Sequence, residues 1–149
     1  MNPISHTDLI LNPDGSIYHL HLLPGDIADN VILVGDQGRV AQVSSHFDQI
    51  ELIKSNREFV THTGSFRGKR ITVLSTGIGT DNIDIVLNEL DALVNVDLEN
   101  RTIIPEHRSL NLIRIGTSGA LHAHIAPGEM IIARVAGGFD GLYHFYQDP

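Results

Sequence analysis

Three short aliphatic segments, each closed by a glycine, constrain the fold of this chain more than any other feature. They are "NVILVGD" (30–36), "ITVLSTG" (71–77) and "LNLIRIG" (110–116). An apolar run of this length that ends at a glycine is typical of a buried strand followed by a loop. Between the second and third segments, "IDIVLNELDALVNV" (83–96) repeats its apolar residues at helical spacing. This order predicts an α/β fold in which helices flank a central sheet.

The second segment is predicted to form a hairpin with "EFVTHTGSF" (58–66), so the sheet is expected to be mixed rather than wholly parallel. In such folds ligands bind beyond the carboxyl ends of the strands, where this chain has its Gly-rich loops. The other predictions are a single domain over 1–149 with a loose arm at 1–16, an extended segment in "SIYHLHLL", a short helix in "RVAQVSSHF", a polar connection at 97–109 and a strand at 128–136.

Composition argues against several classes of protein. The 149 residues, of which 42% are hydrophobic, suffice for one globular core. A formal net charge of -8 argues against a nucleic-acid or anionic-membrane partner, and no apolar run approaches the ~18 residues of a membrane span. The absence of cysteine excludes disulfides and thiolate chemistry. Since no signal peptide is visible in the first residues, we expect a cytoplasmic protein.

Arg114 stands inside the third aliphatic segment, between Ile113 and Ile115. If that strand is buried on both faces, an unpaired guanidinium there would be costly. Either a carboxylate pairs with Arg114 or an anion binds to it, and the segment alone favours neither. Thr117 follows closely and offers a hydroxyl and a backbone N–H at the same strand end.

Two further arginines accompany the Gly-rich loops. Gly35 and Arg39 follow the first strand in "GDQGR", where a glycine lets a backbone N–H approach an anion and Arg39 begins the next helix. Arg57 precedes the hairpin and has Glu58 beside it. Taken singly, each of these two is more often a surface arginine. Taken with Arg114, they fit a phosphate, because its several oxygens can accept from several guanidinium groups at once.

Other motifs do not meet the requirements of their sites. "GIGTDN" has Asn82 where a dinucleotide-binding loop needs its third glycine, and "GSFRGKR" lacks the spacing of a P-loop. Among nine histidines, His19 and His21, like His122 and His124, are two residues apart, but no cysteine or carboxylate cluster supports them. We expect no metal, and we find no carboxylate pair of glycosidase type.

The chain resembles the nucleoside phosphorylases of the uridine and hexameric purine type. The residues that carry the resemblance are "HLHLLPGDIADNVILVGDQGRV", "SNREFVTHTGSFRGKRITVLSTGIGTDNIDIVLNEL" and "LNLIRIGTSGAL" with "APGEMIIA". They run from Tyr18 to Ala136 in the family's order. The resemblance implies a three-layer α/β architecture. It also implies that the C-terminal part of the family domain, with its base-recognising residues, is absent from this sequence.

The resemblance assigns roles to the arginine set. It implies that Gly35, Arg39, Arg114 and Thr117 hold the phosphate, with Arg39 and Arg114 as the catalytic arginines. Arg57 matches the family's phosphate-binding arginine that is lent by a neighbouring subunit.

The resemblance also implies a nucleoside pocket. His19 matches a histidine that contacts the ribose 5′-hydroxyl across the dimer interface, although His21 competes for this role. Thr117 and Gly119 are implied to contact the nucleoside, and the "STGIG" loop to line its pocket.

The implied activity is reversible phosphorolysis of a nucleoside, uridine in preference, to the free base and pentose 1-phosphate. Inorganic phosphate is the co-substrate and no other cofactor is expected. The alternatives are a purine nucleoside phosphorylase, a nucleosidase on the same fold and an inactive phosphate-binding partial chain. The family also implies a dimer or a hexamer built as a trimer of dimers, with active sites shared between subunits.

Overall fold

One mixed sheet of five strands forms the centre of the protein. The computed structural model describes residues 3–146, so residues 1–2 of the predicted arm and 147–149 of the predicted domain lie outside the described residues. The strands are β1 (Asn30–Val34), β2 (Gln49–Asn56), β3 (Phe59–Phe66), β4 (Lys69–Ser75), β5 (Val96–Asp97), β6 (Thr102–Ile103) and β7 (Asn111–Ile115). The sheet order is β2-β3-β4-β1-β7, and β5 pairs with β6 separately.

The pairing directions confirm the prediction of a mixed sheet. β2, β3 and β4 run antiparallel in sequence, whereas β1 lies between β4 and β7 and is parallel to both. In this register Leu33 lies beside Leu74 on one side and Arg114 on the other. The parallel strands therefore end at a common edge of the sheet.

Two helices cover the sheet, α1 (Gln37–Ser44) and α2 (Thr80–Asn95). The alternation of β1 separates two apolar clusters, as the period of a strand requires. Leu33 packs in the larger cluster with Val86 of α2, while Val34 packs in the smaller one with Val40 of α1. The predicted architecture of a sheet flanked by helices is confirmed.

The N-terminal segment is anchored by Arg101. The N–H of Ile4 donates to the carbonyl of Arg101 at 2.7 Å, and the guanidinium of Arg101 donates to the carbonyls of Ile4 and Ser5 at 3.1 and 3.0 Å. Leu9 and Ile17 are buried in the larger apolar cluster. Residues 3–16 are thus held by specific contacts, although the sequence predicted a loose arm.

The chain divides between Ile115 and Gly116 into two compact units. The first contains the sheet and both helices. In the described part of the second, the ordered element is a 3-10 turn at Leu142–Phe145, and no strand forms. The predicted strand at 128–136 is therefore wrong: the segment has no pairing partner, and Ile132 is 86% exposed. A single domain over 1–149 stays a prediction.

The third aliphatic segment is a strand, but the prediction that it is buried on both faces is wrong. All five residues of β7 are exposed, and the exposed fractions of Ile113 and Ile115 are 59% and 48%. The reason lies in the sheet order, because β7 is an edge strand that, among residues 3–146, pairs on one side only, with β1.

Three local predictions also differ from the structure. "SIYHLHLL" is not extended, because residues 18–20 form a turn in which the N–H of His21 donates to the carbonyl of Ile17 at 3.0 Å. The strand β2 was not predicted, and the connection at 97–109 contains part of the β5–β6 pair. Within residues 3–146, no helix is long and apolar enough to cross a membrane.

Candidate active site

The carboxyl ends of β1, β4 and β7 lie at one edge of the sheet, and glycine-containing loops follow β1 and β4 there. After β4, the N–H of Thr76 donates to the carbonyl of Val34 at 2.7 Å, which extends the parallel pairing with β1 by one residue. A Cβ placed on Gly35 would lie 3.8 Å from the carbonyl oxygen of Gly77 and 3.6 Å from Nη2 of Arg114. We call Gly35, Gly77 and Arg114 the strand-end cluster.

The guanidinium of Arg114 lies beside Gly35, and no acidic side chain of residues 3–146 pairs with it. Among residues 3–146, no carboxylate lies within ion-pair distance of its guanidinium. Because Arg114 is exposed, the burial cost expected from a two-sided strand does not arise. The sequence left two partners open for Arg114, a carboxylate of the chain or a bound anion. No carboxylate of residues 3–146 pairs with Arg114, so the guanidinium is available to a bound anion.

The first turn of α1 follows Gly35 and contains Arg39. Asp36 caps this helix, with its Oδ1 accepting from the N–H of Gly38 at 2.6 Å. Arg39 is half-buried in that turn, and its N–H donates to the carbonyl of Asp36 at 3.2 Å. The carboxylate of Asp36 offsets the partial positive charge of the helix N-terminus, so the attraction of this turn for an anion rests on the guanidinium of Arg39.

Arg57 occupies a separate group of contacts. It stands between β2 and β3 with a left-handed φ of +55°. Its Cζ lies 5.4 Å from the ring centroid of Tyr18, and Nη2 lies 3.4 Å from the Tyr18 hydroxyl. The backbone carbonyl of Arg57 accepts from Nε2 of Gln37 at 2.9 Å, which ties this turn to the start of α1.

His19 lies in the turn beside Tyr18 and is held by Glu89 of α2. Its Nδ1 is 2.6 Å from Oε1 of Glu89, and the carbonyl of His19 accepts from Nδ2 of Asn56 at 2.8 Å. We call Tyr18, His19, Asn56, Arg57 and Glu89 the hairpin cluster. It joins the predicted ribose ligand and the predicted lent arginine through adjacent side chains.

His21, the competitor for the ribose role, has a different setting. Its Nε2 lies 3.1 Å from Oδ2 of Asp14, and both side chains are exposed. Hydrogen bonds from the side chain and backbone of Ser16 lower the pKa of Asp14 to about 2, so this carboxylate is charged at neutral pH. His21 is therefore part of a surface ion pair when protonated.

Thr117 and Gly119 belong to the second unit, where both are exposed. Their predicted contacts with phosphate and nucleoside stay predictions. In the same unit, the rings of His122 and His124 stack with centroids 5.4 Å apart. Within residues 3–146, no group of three histidine or acidic side chains is placed to hold a metal ion.

Sequence reasoning missed Gln37, Tyr18 and Glu89 as site residues. Tyr18 and Gln37 have local signals, since Tyr18 adjoins His19 and Gln37 lies between Gly35 and Arg39 in "GDQGR". Glu89 has none: it is 70 residues from His19, and it reads as the polar side of an amphipathic helix. Only the packing of α2 against the N-terminal turn makes it a partner of His19.

Concave surfaces elsewhere do not involve the predicted residues. One hollow lies at the opposite end of the sheet and includes Asp29, Lys69 and Arg108. A second, more apolar one is lined by residues such as Pro24 and Leu98. Neither of these two hollows includes Gly35, Gly77 or Arg114.

An α/β domain with arginines and glycines at the ends of its parallel strands defines the class of proteins in which ligands bind beyond the carboxyl ends of the strands. The particular family follows from sequence. The model of the Phosphorylase superfamily matches residues 29–148, and the chain belongs to this superfamily.

Individual relatives agree with this assignment. The chain is 38% identical to the uridine phosphorylase of Thermococcus kodakarensis over 133 residues, covering 89% of this chain and 43% of the relative. It is 34% identical to the DeoD-type purine nucleoside phosphorylase of Alkaliphilus metalliredigens, covering 79% and 46%.

A solved structure shares the fold. The Trypanosoma brucei nucleoside phosphorylase, described as showing uridine phosphorylase activity, superposes with a TM-score of 0.73 at 35% identity, covering 80% of this chain and 42% of that chain. The chain thus spans less than half the length of the relatives it matches.

Proposed function

We propose that the protein is a nucleoside phosphorylase that prefers uridine and transfers the pentose to inorganic phosphate. The observation that carries this proposal is Arg114, whose guanidinium lies beside Gly35 at the ends of parallel strands with no carboxylate of residues 3–146 within ion-pair distance. Similarity to uridine phosphorylases at 36–38% identity supports the choice of uridine. Salvage of nucleosides in the cytoplasm is the matching cellular role.

In the proposed reaction the strand-end cluster holds the nucleophile. Phosphate binds to the backbone N–H at Gly35 and to the guanidinium groups of Arg39 and Arg114, with Thr117 as a further ligand. One phosphate oxygen then bonds to the anomeric carbon of the pentose while the glycosidic bond breaks and the base leaves with the electron pair. The arginines orient the phosphate and balance its charge, so that attack proceeds within a preformed complex. No metal or organic cofactor takes part.

The hairpin cluster supplies groups to a neighbouring subunit in this proposal. His19 contacts the ribose 5′-hydroxyl and Arg57 contacts phosphate in the partner's site, while Gly119 borders the nucleoside. Arg57 stacks on Tyr18, whose ring contacts His19, so Arg57 and His19 form one continuous surface. This supports the proposal that both residues contribute to the same site of the partner subunit. A dimer, or a hexamer made from three dimers, follows as the working assembly.

The test is phosphate binding by an Arg114→Ala variant. One charge-assisted contact is worth about 1.5–3 kcal/mol, so we expect the dissociation constant of phosphate to rise about 10- to 150-fold. Since Arg114 is exposed, the thermal midpoint should change little. Arg67→Ala, which removes another exposed arginine, is the matched control. Equal phosphate affinity in the parent and the Arg114 variant, measured by titration calorimetry, would remove the basis of the proposal.

A nucleosidase on the same fold is the second candidate, and the un-neutralised Arg114 counts against it because water needs no cationic clamp. The two are separated by the product formed with uridine. Ribose 1-phosphate that appears only with added phosphate supports the phosphorylase, and free ribose formed without phosphate supports the nucleosidase. Phosphate binding without turnover would indicate an inactive partial chain.

A further inference from the structure

We propose that Glu89 is a positioning residue that fixes the tautomer and direction of His19, so that the ring presents a proton acceptor to a hydroxyl group of the substrate. This inference rests on the proposed function, in which that hydroxyl is the ribose 5′-hydroxyl. Glu89 itself touches no substrate in this proposal. It acts through His19, across the contact between α2 and the N-terminal turn.

The carboxylate of Glu89 receives several donors from one short stretch of chain. Oε1 lies 2.6 Å from Nδ1 of His19 and accepts from the backbone N–H of the same residue at 2.9 Å. Oε2 accepts from the N–H of Leu20 at 2.8 Å. The exposed fraction of the Glu89 side chain is 12%, so these contacts form largely away from solvent. Backbone and ring are therefore held by the same group.

This arrangement determines which ring nitrogen carries the proton. A carboxylate only accepts, so Nδ1 must donate. A neutral imidazole has one N–H, and when this is on Nδ1 the other nitrogen, Nε2, is an acceptor. Among residues 3–146, Nε2 of His19 has no hydrogen-bond partner, and the side chain is 27% exposed. His19 thus offers solvent, or a ligand, an acceptor that suits a hydroxyl donor.

Neighbouring contacts limit the movement of the ring. Tyr18 meets it edge to face with centroids 4.8 Å apart, and Asn56 binds the backbone carbonyl of His19. His21 lacks such support, because its partner Asp14 is exposed and binds Nε2 itself. A fixed tautomer and a fixed direction are properties that a hydrogen bond to a sugar hydroxyl requires, and the structure provides them for His19 alone of the two.

The first experiment needs no substrate. Nitrogen-15 NMR of the full chain, at a pH where the His19 ring is neutral, reports which ring nitrogen is protonated. We expect protonated Nδ1 and unprotonated Nε2, whereas the neutral ring of free histidine in water favours the opposite tautomer. A neutral His19 with its proton on Nε2 overturns the proposal.

The second experiment measures recognition of the 5′-hydroxyl. The ratio of kcat/KM for uridine over 5′-deoxyuridine is compared in the parent, His19→Ala, Glu89→Gln and Glu99→Gln, an exposed control of the same chemistry. One neutral hydrogen bond corresponds to a ratio of about 2- to 10-fold. We expect this preference to fall in Glu89→Gln towards the value for His19→Ala and to persist in Glu99→Gln. A folded Glu89→Gln variant that keeps the full preference overturns the proposal.

The two experiments also separate this inference from the proposed function. If the parent chain turns over no nucleoside, the phosphorylase proposal fails, and the NMR measurement still decides whether Glu89 sets the tautomer. If turnover occurs but the neutral ring carries its proton on Nε2, the phosphorylase proposal stands and the positioning role is removed. Circular dichroism of each variant establishes that it folds.

Discussion

At the scale of single residues, the candidate site depends on backbone positions that few side chains tolerate. Gly77 has a φ of +70°, and a Cβ there would lie 2.5 Å from Nδ2 of Asn82. Its carbonyl also borders Gly35, beneath the guanidinium of Arg114. The geometry of the strand-end cluster therefore depends on the absence of a side chain at this position.

Replacing Gly77 by alanine should destabilise the protein through both the strained φ and the clash. Gly68 has a similar φ of +76° but open space around it, so Gly68→Ala isolates the backbone effect. We expect about 1 kcal/mol for Gly68→Ala and about 2–4 kcal/mol for Gly77→Ala in denaturant unfolding. Adding Asn82→Ala should recover part of the difference. Equal losses at the two glycines would show that Asn82 moves aside without cost.

His62 predicts how stability depends on pH. It is buried on β3, and its Nδ1 lies 2.7 Å from Oγ of Ser44 on α1. Burial lowers the pKa of His62 below its ordinary value of 6.5, because the charged ring loses solvation. Above 6.5 the ring is neutral in both states. As the pH falls below 6.5, the unfolded chain binds a proton that folded His62 resists, and the free energy of unfolding decreases.

This dependence is measured by denaturant unfolding between about pH 8 and about pH 5. We expect the loss of stability at acid pH to be smaller in His62→Gln than in the parent. His46→Gln, which changes an exposed histidine at the end of the same helix, should keep the parent's slope. If both variants lose as much stability at acid pH as the parent, the burial of His62 does not contribute to the pH dependence of the free energy of unfolding.

At the scale of elements, local periodicity predicts some of the strands and helices. The exposure of a strand depends instead on its position in the sheet order. β1, the β3–β4 hairpin and α2 were predictable because their apolar residues repeat within one segment. The exposure of β7 was not, because it depends on the absence of a second neighbour in the sheet. β2 is missed because all eight of its residues are exposed or half-buried, so no apolar run marks it.

The same distinction applies to the site. The approach of Arg114 to Gly35 follows from parallel strands that end at one edge, and sequence order suffices to expect it. The clamp between Glu89 and His19 joins distant segments by tertiary packing, and no spacing rule indicates it. The turn at Arg57 likewise could not be predicted, because its left-handed φ is adopted by an arginine and not by a glycine.

The exposed edge of β7 predicts a tendency to associate. An edge strand with unpaired backbone groups and exposed apolar side chains is a template for pairing with another strand. Ile113→Lys should reduce aggregation at high concentration, seen by light scattering, with little change in the thermal midpoint. Ile103→Lys removes a similarly exposed isoleucine from a two-residue strand and should not have this effect. The opposite ranking would exclude β7 as the associating edge.

At the scale of the whole molecule, the proposal of shared sites assigns the strand-end cluster and the hairpin cluster of one chain to two different active sites. The strand-end cluster would serve the subunit's own phosphate, and the hairpin cluster would serve its partner's. A chain with Arg57→Ala keeps an intact strand-end cluster, and a chain with Arg114→Ala keeps an intact hairpin cluster. In a dimer of one Arg57→Ala chain and one Arg114→Ala chain, both substitutions affect the same site if Arg57 crosses the interface. They affect different sites if Arg57 serves its own subunit.

Mixing these two variants tests the arrangement. After co-refolding in equal amounts, half of the dimers are mixed, and each mixed dimer has one complete site if Arg57 crosses the interface. We therefore expect about a quarter of the parent's phosphorolysis, from variants that are each nearly inactive. The control is a mixture of Arg39→Ala with Arg114→Ala, whose defects lie in the same subunit's site and should not complement. Mixed oligomers found by native mass spectrometry without recovered activity would place Arg57 in its own subunit's site.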